Sequence, residues 1–123
     1  MSKIREVTPA AALSLIQKGA LLVDVREPYE IAKKSFDVSD VMLIPLREIE
    51  KRYKEIPANR QVIIACRSGN RSLMALRALT NHGYKKAVSM QTGISGWSRA
   101  GFPVKQMQKQ SPFGWLIRLF GRG

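Results

Sequence analysis

The chain has 123 residues, is 45% hydrophobic and carries a formal net charge of +12 at pH 7. This length predicts one domain with a modest core, and the absence of an apolar run of about 18 residues argues against a membrane-spanning helix. Residues 1–6 lack the apolar segment of a signal peptide, so we expect a cytoplasmic protein.

Apolar segments alternate between strand-like and helix-like patterns along the chain. Thr8 is a typical N-cap, Pro9 suits the first turn of a helix, and the continuous apolar run 21–25 is typical of a strand covered on both faces. In chain order, we predict strands over 4–7, 21–25, 42–45, 62–65 and 87–90, and helices over 9–18, 28–34, 46–53, 72–81 and 93–100. This alternation predicts an α/β fold, with a small, mostly parallel sheet and helices on both faces.

The last residues differ from the rest in composition. Residues 105–112 form a predicted polar linker, and residues 113–123 form a predicted amphipathic tail with apolar residues at helical spacing. The tail is too short to span a bilayer. We expect it to contact its own domain, a second copy or another protein, and the alternative is a peripheral position at a membrane surface.

Charge is distributed unevenly between the two halves of the chain. Residues 1–55 contain 10 basic and 9 acidic groups, whereas residues 56–123 contain 11 basic and no acidic groups. Such a basic half favours a small anionic substrate, although it also fits a surface that serves solubility. No aromatic interleaving or recognised motif accompanies the charge, so we expect no nucleic-acid partner.

The single cysteine lies between the predicted strand 62–65 and the predicted helix 72–81. It begins the run Cys66-Arg67-Ser68-Gly69-Asn70-Arg71-Ser72. Backbone N–H groups in such a loop and at a helix N-terminus stabilise a thiolate, and the two arginines add positive charge. We therefore expect a pKa for Cys66 below about 8.5 and a nucleophilic thiolate, in preference to an inert buried thiol.

Several other kinds of site are excluded or disfavoured. Arg71 lies five positions after Cys66, one position earlier than in cysteine-based phosphatases, and this shorter loop fits a single sulfur atom better than a phosphoryl group. One cysteine rules out an internal disulfide and a Cys-x-x-Cys pair. One histidine, His82, leaves too few ligands for a usual zinc site, and its place before Gly83 predicts a helix end. We expect no metal and no cofactor.

Four segments in order resemble the single-domain rhodaneses, the thiosulfate sulfurtransferases. The run 66–72 resembles their active-site loop, residues 21–30 resemble their Asp-Val-Arg-Glu strand and helix, and residues 44–46 resemble their Ile-Pro-Leu strand. Their C-terminal signature is similar to Gly93-Ile94-Ser95-Gly96-Trp97 with Gly101-Phe102-Pro103-Val104. Residues 35–41 lack the family's common Gly-His-Ile-x-Gly-Ala, so we expect a different path there.

The resemblance implies a rhodanese-like three-layer domain over residues 1–104 and a sulfurtransferase activity. Cys66 would take sulfane sulfur from thiosulfate or another persulfide donor and pass it to cyanide or a thiol. The alternative is a non-catalytic sulfur carrier or docking module recruited by its C-terminal tail.

The resemblance also implies roles for individual residues. Backbone N–H groups of the loop would bind the sulfur and the substrate, and the residues concerned are Arg67, Ser68, Gly69, Asn70, Arg71 and Ser72. Arg67 and Arg71 would orient the substrate oxygens, unless Arg71 only ties down the loop through an ion pair. Ser72 would cap the following helix and reach the sulfur. Asp24 and Arg26 would support the site from the neighbouring strand or be structural alone.

Overall fold

The structure is a computed structural model that describes residues 5–106. Its elements, in chain order, are β1 (Glu6–Val7), α1 (Pro9–Gln17), β2 (Leu21–Asp24), α2 (Pro28–Lys33), β3 (Lys34–Phe36), β4 (Val41–Leu43), α3 (Ile49–Arg52), β5 (Val62–Ala65), α4 (Asn70–Asn81), β6 (Ala87–Met90), α5 (Gly93–Arg99) and β7 (Val104–Gln106). A five-stranded sheet has the order β1-β6-β5-β2-β4, and each of its pairings is parallel.

Helices cover both faces of this sheet. Alternate residues of a strand point to opposite faces, so Val23 packs in one buried cluster together with Leu79 of α4. Its neighbour Leu22 packs in the other cluster, together with Trp97 of α5. The three-layer α/β arrangement predicted from the sequence is therefore confirmed.

Some element boundaries differ from those predicted. The predicted strand 42–45 ends at Leu43. The N–H of Ile44 still donates to the Asp24 carbonyl at 3.0 Å, but the N–H of Arg26 bonds to the Asp24 carboxylate and does not continue the ladder. The predicted helix 46–53 is instead a 3₁₀ turn at Leu46–Glu48, then α3, then a second 3₁₀ turn at Tyr53–Glu55. At the start of α1 the prediction is confirmed, because the Thr8 hydroxyl accepts the N–H of Ala11 at 3.1 Å.

A second, two-stranded sheet lies at the position where the sequence departs from the rhodanese pattern. β3 pairs antiparallel with β7, with Lys34 opposite Gln106 and Phe36 opposite Val104. The strand thus extends two residues beyond the predicted domain end at Val104 and includes Lys105 and Gln106, the first two residues of the predicted linker. The rest of the predicted linker and the tail 113–123 lie outside the described residues.

Within residues 5–106, every helix is too short or too polar to span a membrane.

Candidate active site

The loop that follows β5 is placed at the carboxyl edge of the parallel sheet. Cys66 comes directly after β5, which lies between β6 and β2, and α4 begins at Asn70. Ligands of open parallel sheets bind at this edge. Gly69 is the N-cap of α4 and has φ +114°, a left-handed conformation that favours glycine. The loop can therefore turn sharply back over the cysteine.

The sulfur of Cys66 is enclosed by this turn. The residue is only 1% exposed, and its Sγ accepts the N–H of Gly69 at 3.0 Å. Burial raises the pKa of the Cys66 thiol, but hydrogen bonds from the Ser72 hydroxyl and from the N–H groups of Ser72, Gly69 and Ser68 lower it, and the net effect is a lowered pKa. The direction agrees with the sequence prediction, but these donors contribute more than the arginine charges do.

Ser72 does not cap α4, and that part of the sequence prediction is wrong. The helix begins two residues earlier than predicted, so Ser72 lies within its first turn. Its Oγ is 3.6 Å from Cys66 Sγ and donates to the carbonyl of Gly69 at 3.0 Å. The same oxygen is 2.7 Å from Oγ of Ser89 on β6. Sequence reasoning missed Ser89, although it is the one polar residue in the strand Ala87–Met90.

Arg71 is held by an ion pair with Glu30 of α2. Arg71 Nη1 lies 2.6 Å from Glu30 Oε1, and Nη2 lies 2.8 Å from Oε2. The hydrogen bonds from Arg71 lower the pKa of Glu30 from 4.5 to about 2. Glu30 also accepts the N–H of Glu27 at 3.0 Å. The structure thus places Arg71 in the ion pair that the sequence left open as an alternative. This ion pair anchors the loop to α2.

Asp24 and Arg26 form a second, buried pair. Arg26 Nε lies 3.0 Å from Asp24 Oδ1, and Nη2 lies 2.8 Å from Oδ2. Arg26 Nη2 also donates to the carbonyl of Lys34 at 2.9 Å. These contacts connect the end of β2 to the end of α2, so the pair fixes the helix that carries Glu30.

The first turn of α5 packs directly on the loop 66–72. The N–H of Ile94 donates to the Cys66 carbonyl at 2.9 Å, and the N–H of Ser95 donates to the Arg67 carbonyl at 3.1 Å. A Cβ on Gly93, which has φ +52°, would lie 2.2 Å from the Cys66 carbonyl oxygen. Gly93 was quoted in the C-terminal signature, but sequence reasoning assigned it no role; its role is to permit this close approach.

A cleft of about 390 Å³ opens beside the loop between α2 and α5. Lys33, Lys34 and Arg67 bring positive charge to its wall, which also includes Arg26 and Glu30, each engaged in an ion pair. In the loop itself, the side chains of Arg67, Ser68 and Asn70 are exposed. The arrangement places positive charge beside a thiol whose pKa is lowered, which favours an anionic ligand.

His82 stands at the opposite end of α4 from this loop. It is the C-cap of the helix, its ring stacks on Tyr53 at 3.8 Å, and its Nε2 lies 2.9 Å from Glu50 Oε2. Within residues 5–106, no group of three or more His, Cys, Asp or Glu side chains is placed to hold a metal ion. His82 is thus a helix-end residue, as its sequence context predicts.

A family model described as "Rhodanese-like domain" matches residues 8–100. The chain belongs to this family. A sulfurtransferase of Allochromatium vinosum is 42% identical over 84 residues, which cover 68% of this chain and 77% of that protein. The thiosulfate sulfurtransferase GlpE of Haemophilus influenzae is 30% identical over 104 residues, covering 81% and 93%. The crystal structure of a rhodanese-related protein from Thermoplasma volcanium matches with a TM-score of 0.74 at 29% identity, covering 82% and 97%.

The ion pair between Glu30 and Arg71 should support both the stability and the turnover of this rhodanese domain. Glu30→Gln is expected to lower turnover by about tenfold, because the loop loses its anchor, and to lower the free energy of unfolding by about 1–2 kcal/mol at neutral pH. The lowered pKa of Glu30 means that the pair stabilises the fold above pH 4.5, and that this contribution is lost as the pH falls to about 2. Thermal melts across this range measure the effect.

Glu55→Gln is the matched control, because it breaks an ion pair with Arg52 in which Glu55 is half exposed. An exposed pair is screened by solvent and contributes little to stability, and this one lies outside the loop 66–72, so turnover should stay unchanged. If Glu30→Gln behaves like Glu55→Gln in both assays, the Glu30–Arg71 pair does not position the loop.

Proposed function

We propose that this rhodanese domain moves a sulfane sulfur from thiosulfate, or another persulfide donor, through a Cys66 persulfide to a thiophilic acceptor such as cyanide or a thiol. The observation that carries the proposal is the enclosed Cys66 sulfur, which accepts the N–H of Gly69 at 3.0 Å and has a lowered pKa. The names of the two relatives, sulfurtransferase and thiosulfate sulfurtransferase, support this chemistry.

The first step is attack of the Cys66 thiolate on the outer sulfur of thiosulfate. A new S–S bond forms at Sγ, the S–S bond of thiosulfate breaks, and its electron pair leaves with sulfite. The enzyme then carries a Cys66 persulfide anion. In the second step, the acceptor attacks the outer sulfur of this persulfide, the Sγ–S bond breaks, and the thiolate is regenerated; with cyanide the product is thiocyanate.

The loop supplies hydrogen-bond donors for both anionic sulfur species. The N–H of Gly69 donates to Sγ at 3.0 Å, and the N–H groups of Ser68 and Ser72 help to lower the pKa of the thiol. The same turn offers donors to a sulfur one bond further out, in the manner of an anion nest. Such preorganised donors cost no reorganisation when negative charge moves between the two sulfurs. The loop therefore stabilises the thiolate and the persulfide alike.

The two loop arginines have different roles. Arg67 is exposed and lines the basic cleft, so it is the group that meets the oxygens of thiosulfate and of departing sulfite. Arg71 is engaged with Glu30, so it acts mainly by holding the loop in shape. The sequence resemblance implies that both arginines orient the substrate oxygens, whereas we assign that role to Arg67.

Intact mass spectrometry after incubation with thiosulfate tests the proposal. The protein should gain the mass of one sulfur atom, a reductant or cyanide should remove it, and thiocyanate should then appear over many turnovers. Formation of the adduct with a single release and no turnover would favour the alternative, a sulfur carrier. If no adduct forms with thiosulfate or with an inorganic polysulfide as the donor, the proposed chemistry is wrong.

A further inference from the structure

Two buried hydroxyl groups lie in a row behind the reactive sulfur. Ser72 and Ser89 are both 0% exposed, and their Oγ atoms are 2.7 Å apart. Ser72 Oγ continues the row to Cys66 Sγ at 3.6 Å. Ser89 lies on β6, so the row connects the catalytic loop to a neighbouring strand of the sheet.

Each serine hydroxyl has one proton to donate, and this determines which serine is the donor in the hydrogen bond between them. Within residues 5–106, the hydroxyl of Ser89 has one hydrogen-bond partner, Ser72 Oγ, and it is shielded from solvent. A buried hydroxyl proton without an acceptor is costly, so Ser89 donates to Ser72. The single proton of Ser72 is then directed away from Ser89, toward either the Gly69 carbonyl at 3.0 Å or Cys66 Sγ.

Ionisation of Cys66 decides between these two acceptors. A thiol can donate to Ser72 Oγ, which leaves the Ser72 proton on the Gly69 carbonyl. A thiolate only accepts, and a hydrogen bond to a charged acceptor is about twice as strong as a neutral one. The Ser72 proton therefore turns to the sulfur when the proton of Cys66 leaves, and the donor behind it, Ser89, remains in place.

We propose that Ser89 is a positioning residue for sulfur transfer, which by donating to Ser72 Oγ directs the Ser72 hydroxyl onto the Cys66 thiolate. The inference rests on the proposed function only in that Cys66 reacts as a thiolate. Successive hydrogen bonds polarise one another, so a donor to Ser72 also strengthens the bond that Ser72 makes to sulfur. In agreement with this, the Ser72 hydroxyl is the largest of the contacts that lower the pKa of Cys66.

Other charged groups around the sulfur are independent of this row. Arg67 lies in the loop, Arg71 on α4 is paired with Glu30 of α2, and Asp24 is paired with Arg26 at the end of β2. Tyr29 on α2 lies close enough to Arg71 to raise its pKa. The first turn of α5 brings Gly93, Ile94 and Ser95 to the loop, and none of these three residues is charged. Replacement of Ser89 changes none of these groups, so its effect on the thiol is separable from theirs.

The test measures the pKa of Cys66 by the pH dependence of its alkylation with iodoacetamide, which requires no sulfur transfer. At pH values below the midpoint of the wild-type profile, Ser72→Ala should reduce the thiolate fraction by about tenfold, because a charge-assisted hydrogen bond is lost. Ser89→Ala should reduce it by about twofold to threefold, and Ser89→Thr, which keeps a hydroxyl, should restore most of it. The rate of thiocyanate formation should follow the same order at neutral pH and recover at high pH.

A double-mutant cycle shows whether Ser89 acts through Ser72. In the Ser72→Ala background, the further change Ser89→Ala should leave the pKa of Cys66 unmoved. Val88→Ala is the control for general weakening of β6, because Val88 is a buried apolar residue on the same strand; it should lower the melting temperature without shifting the alkylation profile.

The proposal is overturned if Ser89→Ala leaves the alkylation profile of the wild type in place, or if it shifts the profile equally with and without Ser72. A shift by Val88→Ala as large as that by Ser89→Ala also overturns it, because the effect would then belong to the strand. If the cycle behaves as expected but thiosulfate is not used, the positioning role holds and only the proposed substrate is wrong.

Discussion

Cys66→Ser is expected to abolish sulfur transfer, with turnover below about one per cent of the wild type, because a serine hydroxyl is not ionised near neutral pH and does not form the persulfide. Cys66 is the only cysteine in the chain, so no second thiol can replace it. The fold should remain, because serine is smaller than cysteine, fits the same buried position without a clash and keeps a hydrogen-bonding group there. Thiocyanate formation and intact mass after thiosulfate treatment measure the loss.

Ser14→Ala is a control for handling and folding, because Ser14 is an exposed residue of α1 away from the loop; it should keep full turnover. Residual transfer by Cys66→Ser above a few per cent of the wild type would contradict the assignment of Cys66 as the nucleophile. So would a persulfide mass on that variant.

Gly93→Ala is expected to cost about 2–4 kcal/mol of unfolding free energy and to reduce turnover by more than about tenfold. Its Cβ would lie 2.2 Å from the Cys66 carbonyl oxygen and 2.7 Å from the Arg67 carbonyl carbon and oxygen. These are backbone atoms, so either α5 or the catalytic loop must move. Movement of the loop displaces the N–H groups around Sγ, so both thermal stability and turnover should fall.

Gly101→Ala separates this clash from backbone strain. Gly101 also has a positive φ, +81°, but a Cβ there meets nothing within 4 Å. Strain alone should cost about 1–3 kcal/mol, with turnover unchanged at a temperature where the variant is folded. If Gly93→Ala and Gly101→Ala lose stability equally and both keep turnover, the contact between α5 and the loop does not shape the active site.

The local parts of this protein could be predicted from its sequence. The apolar run of β5, the glycine and the arginines after Cys66, and the helix that follows are neighbours along the chain, so their pattern alone indicates a strand, a turn and a stabilised thiolate. The Thr8-Pro9 helix start and the two-faced burial of β2 are equally local. Periodicity and turn chemistry act over a few residues, and they suffice for these elements.

Contacts between distant segments were decided only by the tertiary structure. Glu30 meets Arg71 across 41 positions, and Ser89 meets Ser72 across 17; neither partner is marked by its own neighbours in sequence. The pairing of β3 with β7 was missed for the same reason, since three-residue strands are too short for an alternating pattern to be recognised. These side chains meet because parallel strands end at the same edge of the sheet and helices pack next to that edge. The sequence by itself thus determined the fold class and pointed to Cys66 as the nucleophile we propose, whereas packing decided which side chains hold the Cys66 loop in place.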